Sequence, residues 1–180
     1  MNKHNVLKRM VALLIAVMLV FSLTIQIFAY DLLCYKVADK RATYTWGGAI
    51  NTSTSSSTYK TFWRTAMSSW TSAVGYNISY SSSSSNTITI VNESSSTYYG
   101  YMQPHSTPNY VLTSFTAYVN IAHTGTNENV FKSVACHELG HTLGLDDTNN
   151  PNAVMGYNRN RNTIYTPQAD DIEGVTDAYN

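Results

Sequence analysis

The stretch HELGHTLGLDD at residues 137–147 follows the pattern HExxHxxGxxD and decides how this chain is interpreted. Positions i and i+4 of a helix share one face, so His137 and His141 can bind the same metal ion. Glu138 then lies beside the metal, where its carboxylate can act as a base on a metal-bound water. The pattern therefore predicts a zinc site of the catalytic kind, with one coordination position left to water.

Gly144 and the residues after it supply the third ligand. Glycine adopts backbone angles that side chains disfavour, so Gly144 is predicted to end the helix and to turn the chain back toward the metal. Asp147 is the expected third ligand because it stands at the motif offset. Its neighbour Asp146 is the alternative.

Composition sets the broad class. The 180 residues suit a single domain, and 43% hydrophobic residues can form a sizeable core. Eleven basic and eleven acidic residues cancel, so neither nucleic acid nor an anionic membrane surface is an expected partner. We expect a monomer.

The N-terminus has the features of an export signal. Lys3, Lys8 and Arg9 precede an apolar run over residues 10–27, and the small residue Ala29 follows. These features predict a signal peptide at residues 1–29 and a single catalytic domain at residues 30–180, secreted to the extracellular space. The alternative is an uncleaved segment that anchors the protein in a membrane.

Cys34 and Cys136 are the two cysteines of the chain. In an exported protein they can form a disulfide that ties the new N-terminus to the motif helix. The alternative is that Cys136 is a small buried residue and Cys34 a free thiol, since spacing alone does not show whether the sulfur atoms meet.

Apolar spacing predicts the order of the secondary structure. An amphipathic helix is expected up to Gly75, because apolar residues recur at spacings of three and four. A second helix is expected from about 128 to 143 with Asn127 as its cap, and a terminal helix with Thr166 as cap and Pro167 at its first position. Strands are predicted at residues 43–46, 76–80, 87–91 and 110–121, with a Gly-Gly turn and a polar loop up to Thr58 after the first. The stripe of the first helix comprises Tyr59, Phe62, Trp63, Ala66, Met67, Trp70, Ala73 and Val74.

The extended motif, together with Met155 in a turn downstream, resembles the metzincin clan of zinc endopeptidases. The order of elements and the terminal helix are most similar to the matrixins. Asp147 in place of a third histidine is similar to the small secreted bacterial proteases of the snapalysin type. The resemblance implies an α+β fold with a twisted, mixed, five-stranded sheet, two long helices, and a small C-terminal subdomain that holds the methionine turn and the terminal helix.

The resemblance also implies roles for single residues. His137, His141 and Asp147 match the zinc ligands, Glu138 matches the general base, and Met155 matches the residue that forms an apolar floor below the metal. Because Asp147 is an anion, the bound water is expected to be less acidic than at a three-histidine site.

Other features of the family are less well matched. Tyr157 stands where some metzincins hold a tyrosine that approaches the zinc or the oxyanion, and a tyrosine that packs in the cleft wall is the equal alternative. His105 and His123 lack the partners of the matrixin structural zinc, so one catalytic zinc ion is expected and both histidines are expected to be solvated. A need for Ca²⁺ is left open.

The sequence thus predicts a secreted zinc endopeptidase that acts on protein or peptide substrates. An extended substrate is expected to pair with an edge strand within residues 110–121, and the loop at residues 156–164 is expected to shape the pocket just beyond the cut. The alternative is a secreted, zinc-containing binding module of the same fold that has lost activity. The intact Glu138 argues against that alternative.

Overall fold

The computed structural model describes residues 29–180. The predicted signal peptide, apart from Ala29, lies outside these described residues. Ala29 itself donates its backbone N–H to Asp170 Oδ1 at 2.6 Å, on the terminal helix. Within residues 29–180, no helix combines the length and the apolar character needed to cross a bilayer.

The sheet has five strands in the order β2-β1-β3-β5-β4. All neighbouring pairs are parallel except β4 and β5, which are antiparallel. The predicted α+β fold with a mixed five-stranded sheet is therefore confirmed. The strands are β1 Arg41–Trp46, β2 Asn77–Tyr80, β3 Thr87–Val91, β4 Gly100–Ser106 and β5 Ser114–Asn120.

The helices pack on this sheet. They are α1 Gly48–Thr52, α2 Ser56–Val74, α3 Ile121–Thr124, α4 Glu128–Thr142 and α5 Ala169–Ala178. The core lies between the sheet and the two long helices, α2 and α4, and includes Trp63, Phe131 and Ile88, all fully buried. Burial of such large side chains is the main favourable term in folding a domain of this size.

Helix α2 follows the predicted apolar stripe, whose first six members, Tyr59 to Trp70, are buried. It ends at Gly75, which has a φ of 74° and so adopts the left-handed conformation that favours glycine. Trp70 donates its indole N–H to the carbonyl of Cys136 at 2.8 Å, which satisfies a polar atom in the core and joins α2 to α4.

Helix α4 begins as predicted. The side chain of Asn127 accepts a hydrogen bond from the backbone N–H of Val130 at 3.3 Å and so caps the first turn.

Two local predictions were wrong. The residues after β1 form the short helix α1 instead of a Gly-Gly turn with a loop, and α2 begins at Ser56, ahead of Thr58. The terminal helix α5 begins at Ala169 with Gln168 as its cap, and not at Pro167. The reason is that Asp171 accepts a hydrogen bond from the backbone N–H of Gln168 at 2.7 Å, which fixes the first turn there.

The strand predicted over residues 110–121 is shorter and lies elsewhere in the sheet. Tyr110 belongs to a 3-10 turn, Pro108–Tyr110, and β5 covers only Ser114–Asn120. This strand lies between β3 and β4, so it is not an edge. The two edge strands are β2 and β4. Sequence analysis missed β4 because Pro104 and several polar residues weaken its pattern.

Both cysteines are free in this structure. Cys34 is exposed and Cys136 is buried in α4. Burial raises the pKa of the Cys136 thiol well above its usual range, which favours the unreactive protonated form. Of the two alternatives from the sequence, the buried residue with a separate free thiol agrees with the structure.

Candidate metal centre

The last two turns of α4 bring three of the predicted site residues together. The ligand atoms of His137, Glu138 and His141 all lie within 4.8 Å of one another. The two imidazole rings are 4.8 Å apart and nearly perpendicular, at 84°. This is the arrangement expected for histidines at positions i and i+4 on one helical face.

A backbone carbonyl orients each imidazole. Nδ1 of His137 lies 2.9 Å from the carbonyl oxygen of Val154, and Nδ1 of His141 lies 2.9 Å from that of Leu145. When Nδ1 carries the proton and donates it to these carbonyls, Nε2 keeps a lone pair on the opposite edge of the ring. Such outer contacts are typical of histidines that bind a metal through Nε2.

Gly144 turns the chain at the end of α4. Its φ of 94° lies in the region that L side chains rarely adopt, as predicted for this position. The turn brings Asp147 to His137, with its Oδ1 atom 3.0 Å from Nε2 of that residue. Asp147 does not belong to the close group formed by His137, Glu138 and His141. The side chain of Asp146 instead accepts the backbone N–H of Asp147 at 2.8 Å, so it braces the turn.

The protonation states of His137 and Asp147 differ from those of an ion pair. Burial lowers the pKa of His137 to about 4, and the nearby positive charge of Arg159 acts in the same direction. The hydrogen bond from His137 lowers the pKa of Asp147. In the metal-free protein the contact therefore joins a carboxylate to a neutral imidazole that carries its proton on Nε2. To bind a metal through Nε2, the ring takes the other neutral tautomer, with the proton on Nδ1 facing the carbonyl of Val154.

Glu138 is buried beside the histidines. Its side chain is only 4% exposed, and its Oε2 atom has no hydrogen-bond partner. Burial raises the pKa of Glu138 well above its usual range, while the charges of Arg159 and Arg161 oppose that change. A buried, ionisable and unpaired group next to two histidines is more typical of a functional site than of a structural one.

These donors fit a zinc ion. Zinc takes imidazole nitrogen and carboxylate oxygen, and catalytic zinc sites use three protein ligands with one position open. The structure offers two oriented imidazoles, and the 54% exposed carboxylate of Asp147 adjoins the one of His137. The residues present thus meet the requirement for such an ion without any change in the fold.

Met155 packs against the motif helix α4. It is buried, and its sulfur is in contact with the backbone of α4 at Gly140. The backbone N–H groups of Val154 and Met155 donate to Asp171 at 2.8 and 3.0 Å. Sequence analysis placed Asp171 only in the first turn of the terminal helix and missed that its carboxylate holds the methionine turn.

Gly100 is a second residue that sequence analysis missed. It begins β4, and a Cβ atom there would lie 2.5 Å from Val134 Cγ1 and 2.8 Å from Glu138 Oε1. Only glycine permits this approach, so the edge strand runs directly beside Glu138.

A cavity of about 180 Å³ opens beside Glu138. Tyr157 is 59% exposed and lines it, together with Arg159 and Arg161. Sequence analysis did not single out either arginine, because both lie in a polar loop with no periodic pattern.

The two remaining histidines of the described region lie apart from this group. His105 Nε2 is 2.8 Å from the hydroxyl of Thr116, and His123 Nε2 is 2.8 Å from the carbonyl of Ser96. Each is thus hydrogen-bonded within the protein instead of being simply solvated.

Comparisons with known proteins are consistent with a metal site at these residues. A family model described as Matrixin matches residues 36–180, which is most of the chain. The chain is also similar to macrophage metalloelastase from Oryctolagus cuniculus, with 50% identity over 50 residues. That segment covers 26% of this chain and only 10% of the relative. Since the family match includes both long helices, all five strands and the metal-binding motif, the chain belongs to the matrixin family of metalloproteases.

Proposed function

We propose that this protein is a secreted zinc endopeptidase that hydrolyses peptide bonds in protein or peptide substrates. The observation that carries the proposal is the group formed by His137, Glu138 and His141, in which both imidazoles are oriented through Nδ1 and the carboxylate is buried without a hydrogen bond. Membership of the matrixin family supports the same reaction.

We assign the zinc ligands to His137, His141 and Asp147. The position of Asp147 beside His137 Nε2 supports this assignment. Asp146 is a weaker candidate because its Oδ1 atom accepts a backbone N–H. An anionic third ligand lowers the positive charge of the site compared with three histidines, and a less acidic bound water is the expected consequence.

Residues of the chain perform the proton transfers. A bound zinc ion supplies Lewis-acid polarisation of the scissile carbonyl and of the attacking water. Glu138 takes a proton from that water and later passes it to the departing amine. Its unpaired Oε2 atom suits this task, because no existing hydrogen bond must break first. Tyr157 lines the same cavity and is our candidate for stabilising the oxyanion.

The substrate is expected to bind along β4 in an extended form. β4 is one of the two edge strands of the sheet, and its first residue, Gly100, lies against Glu138. An added peptide strand can therefore use the unpaired main-chain groups of β4 and place its scissile bond beside the carboxylate. Pro104 has no N–H group, so this ladder is confined to the part of β4 near the site.

Export is the last part of the proposal. The basic and apolar N-terminal residues support a signal peptide at residues 1–29 and a catalytic domain at residues 30–180. Recovery of the processed protein from culture medium, with its N-terminus determined by sequencing, would support cleavage. A full-length chain in the membrane fraction would contradict it.

The conservative variant Glu138→Gln tests the reaction. It removes the base and keeps the size of the side chain, so zinc content should stay near one ion per chain while cleavage of casein falls by at least about a hundredfold. The control is wild-type protein with and without a chelator. Bound zinc without any cleavage by the wild-type protein would favour an inactive binding module. Retained proteolysis in the Gln variant would contradict the role of Glu138.

A further inference from the structure

Two arginines face the cavity beside Glu138. Arg159 and Arg161 both belong to the segment that follows Tyr157, and the cavity also adjoins Gly100 of β4 and Val134 of α4. Within residues 29–180, neither guanidinium lies within ion-pair distance of a carboxylate. Two positive charges therefore share a small cavity without a direct anionic partner.

Arg159 is held rigidly and deeply. It is 4% exposed, and it donates through Nε to Ser133 Oγ at 2.9 Å, through Nη2 to Ser133 O at 3.1 Å and through Nη1 to Gly156 O at 2.8 Å. Its Nη1 atom also lies 3.1 Å from Nδ1 of His137. All three acceptors are neutral. An arginine guanidinium is a cation at neutral pH.

Arg161 has unused hydrogen-bonding capacity. Its guanidinium stacks over the ring of Tyr99 at 4.2 Å, and Nη2 donates to the carbonyl of Tyr157 at 3.3 Å. Its Nε atom is buried and has no partner. A guanidinium that is stacked on one face and unpaired at its edge is prepared to bind a planar carboxylate through two hydrogen bonds.

The two acidic side chains near the arginines, Asp147 and Glu138, have other roles in the proposed reaction. In the reaction proposed above, Asp147 binds the metal and Glu138 handles the proton of the attacking water. Burying a cation without a counter-ion is costly, and an anion supplied by the substrate would offset that cost.

The mechanism indicates which substrate residue enters this cavity. Glu138 gives its proton to the departing amine, and that nitrogen belongs to the first residue after the cut. Since Glu138 lines the cavity, that residue binds next to it, and the cavity is a space open to its side chain.

We propose that Arg159 and Arg161 form a specificity pocket for an acidic side chain, Asp or Glu, on the residue directly after the scissile bond. The inference rests on the proposed function and adds to it the substrate class: peptide bonds that precede an acidic residue. Both arginines act here as specificity-determining residues.

The test uses the zinc-loaded processed protein and three fluorogenic peptides that differ only after the cut, where they carry Glu, Gln or Leu. We expect kcat/KM for the Glu peptide to exceed that for the isosteric Gln peptide by about 10- to 100-fold, since a bidentate guanidinium contact is charge-assisted. Arg161→Gln should remove most of this ratio, and Arg161→Lys should keep part of it. Arg161→Glu should favour a fourth peptide that carries Lys at the same position. Arg159 variants are less suitable because they also remove three structural hydrogen bonds.

A competing role for the arginines is to keep Glu138 ionised. In that case Arg161→Gln would shift the pH profile of kcat/KM equally for all three peptides and leave the Glu to Gln ratio at one, which would overturn the inference. Efficient, chelator-sensitive cleavage before Leu with no preference for Glu would also overturn it, although the proposed function would stand.

A binding measurement tests the acidic pocket separately from the proposed peptidase activity. By calorimetry, the Glu138→Gln variant should bind a product peptide with N-terminal Glu about 10-fold more tightly than one with N-terminal Gln. Adding Arg161→Gln should abolish that difference. Equal binding of both peptides would refute the pocket without any need for turnover. Binding as expected with no cleavage by the wild-type protein would refute only the proposed function.

Discussion

Replacing Asp147 with alanine should weaken zinc binding strongly, whereas the same change at Asp146 should not. Asp147 Oδ1 lies 3.0 Å from Nε2 of His137, while Asp146 uses its own Oδ1 to accept a backbone N–H. The two side chains are chemically identical and adjacent, so Asp146→Ala is a matched control. It removes one hydrogen bond of the turn and keeps all three proposed ligands.

The expected loss follows from the number of ligands. Structural zinc sites with four protein ligands bind with about 10–16 kcal/mol, which is about 2.5–4 kcal/mol per ligand. Losing the ligand Asp147 should therefore raise the Kd for zinc by about 10²- to 10³-fold. Because its side chain is 54% exposed, the variant opens no core cavity, and the fold should survive. Asp146→Ala should change the Kd by less than about tenfold, the lower end for residues outside the ligand shell.

Competition with a chromophoric chelator at pH 7.5 measures both constants, and circular dichroism checks that each variant is folded. Equal zinc affinity in wild-type protein and the Asp147→Ala variant would refute Asp147 as a ligand. A large loss in the Asp146→Ala variant alone would transfer the role to its neighbour. Activity on casein should fall in step with zinc occupancy.

Two further predictions concern stability. Asp171→Asn replaces a carboxylate that accepts from Gln168, Val154 and Met155, so it should lower the free energy of unfolding by about 2–4 kcal/mol, seen as a lower Tm. Glu173→Gln, an exposed change on the same helix, should leave the Tm within about a degree, and similar effects of both variants would contradict the argument. For the metal-free protein, the folded-state pKa of His137 is about 4 against an ordinary value of 6.5. Between these values the unfolded chain binds more protons, so stability is full above about pH 6.5 and falls by about 3 kcal/mol as the pH drops to about 4. Denaturant unfolding across this range checks the prediction, and a flat profile in that window would contradict it.

The local elements followed from the sequence because their causes are local. The apolar stripe that ends at Gly75 predicted α2, and the capping residue Asn127 predicted the start of α4. Histidines four residues apart meet on any helix, so the pairing of His137 with His141 could be foreseen. Gly144 was expected to adopt an unusual backbone angle, and it does. All of these depend on contacts within a few residues.

What the sequence left undecided depends on residues far apart in the chain. The edge strand was placed within residues 110–121, but strand order follows from which surfaces pack together, and the structure puts β4 at the edge instead. Asp171 holds the methionine turn across 16 and 17 residues, and Arg159 reaches Ser133 across 26. No spacing rule links such positions. The sequence by itself therefore determined the metal-binding motif and the family resemblance, whose chemistry lies within eleven residues. Only the tertiary structure showed that β4 and the two arginines, Arg159 and Arg161, lie beside that motif and that Asp171 holds the methionine turn, because long-range packing brings these residues together.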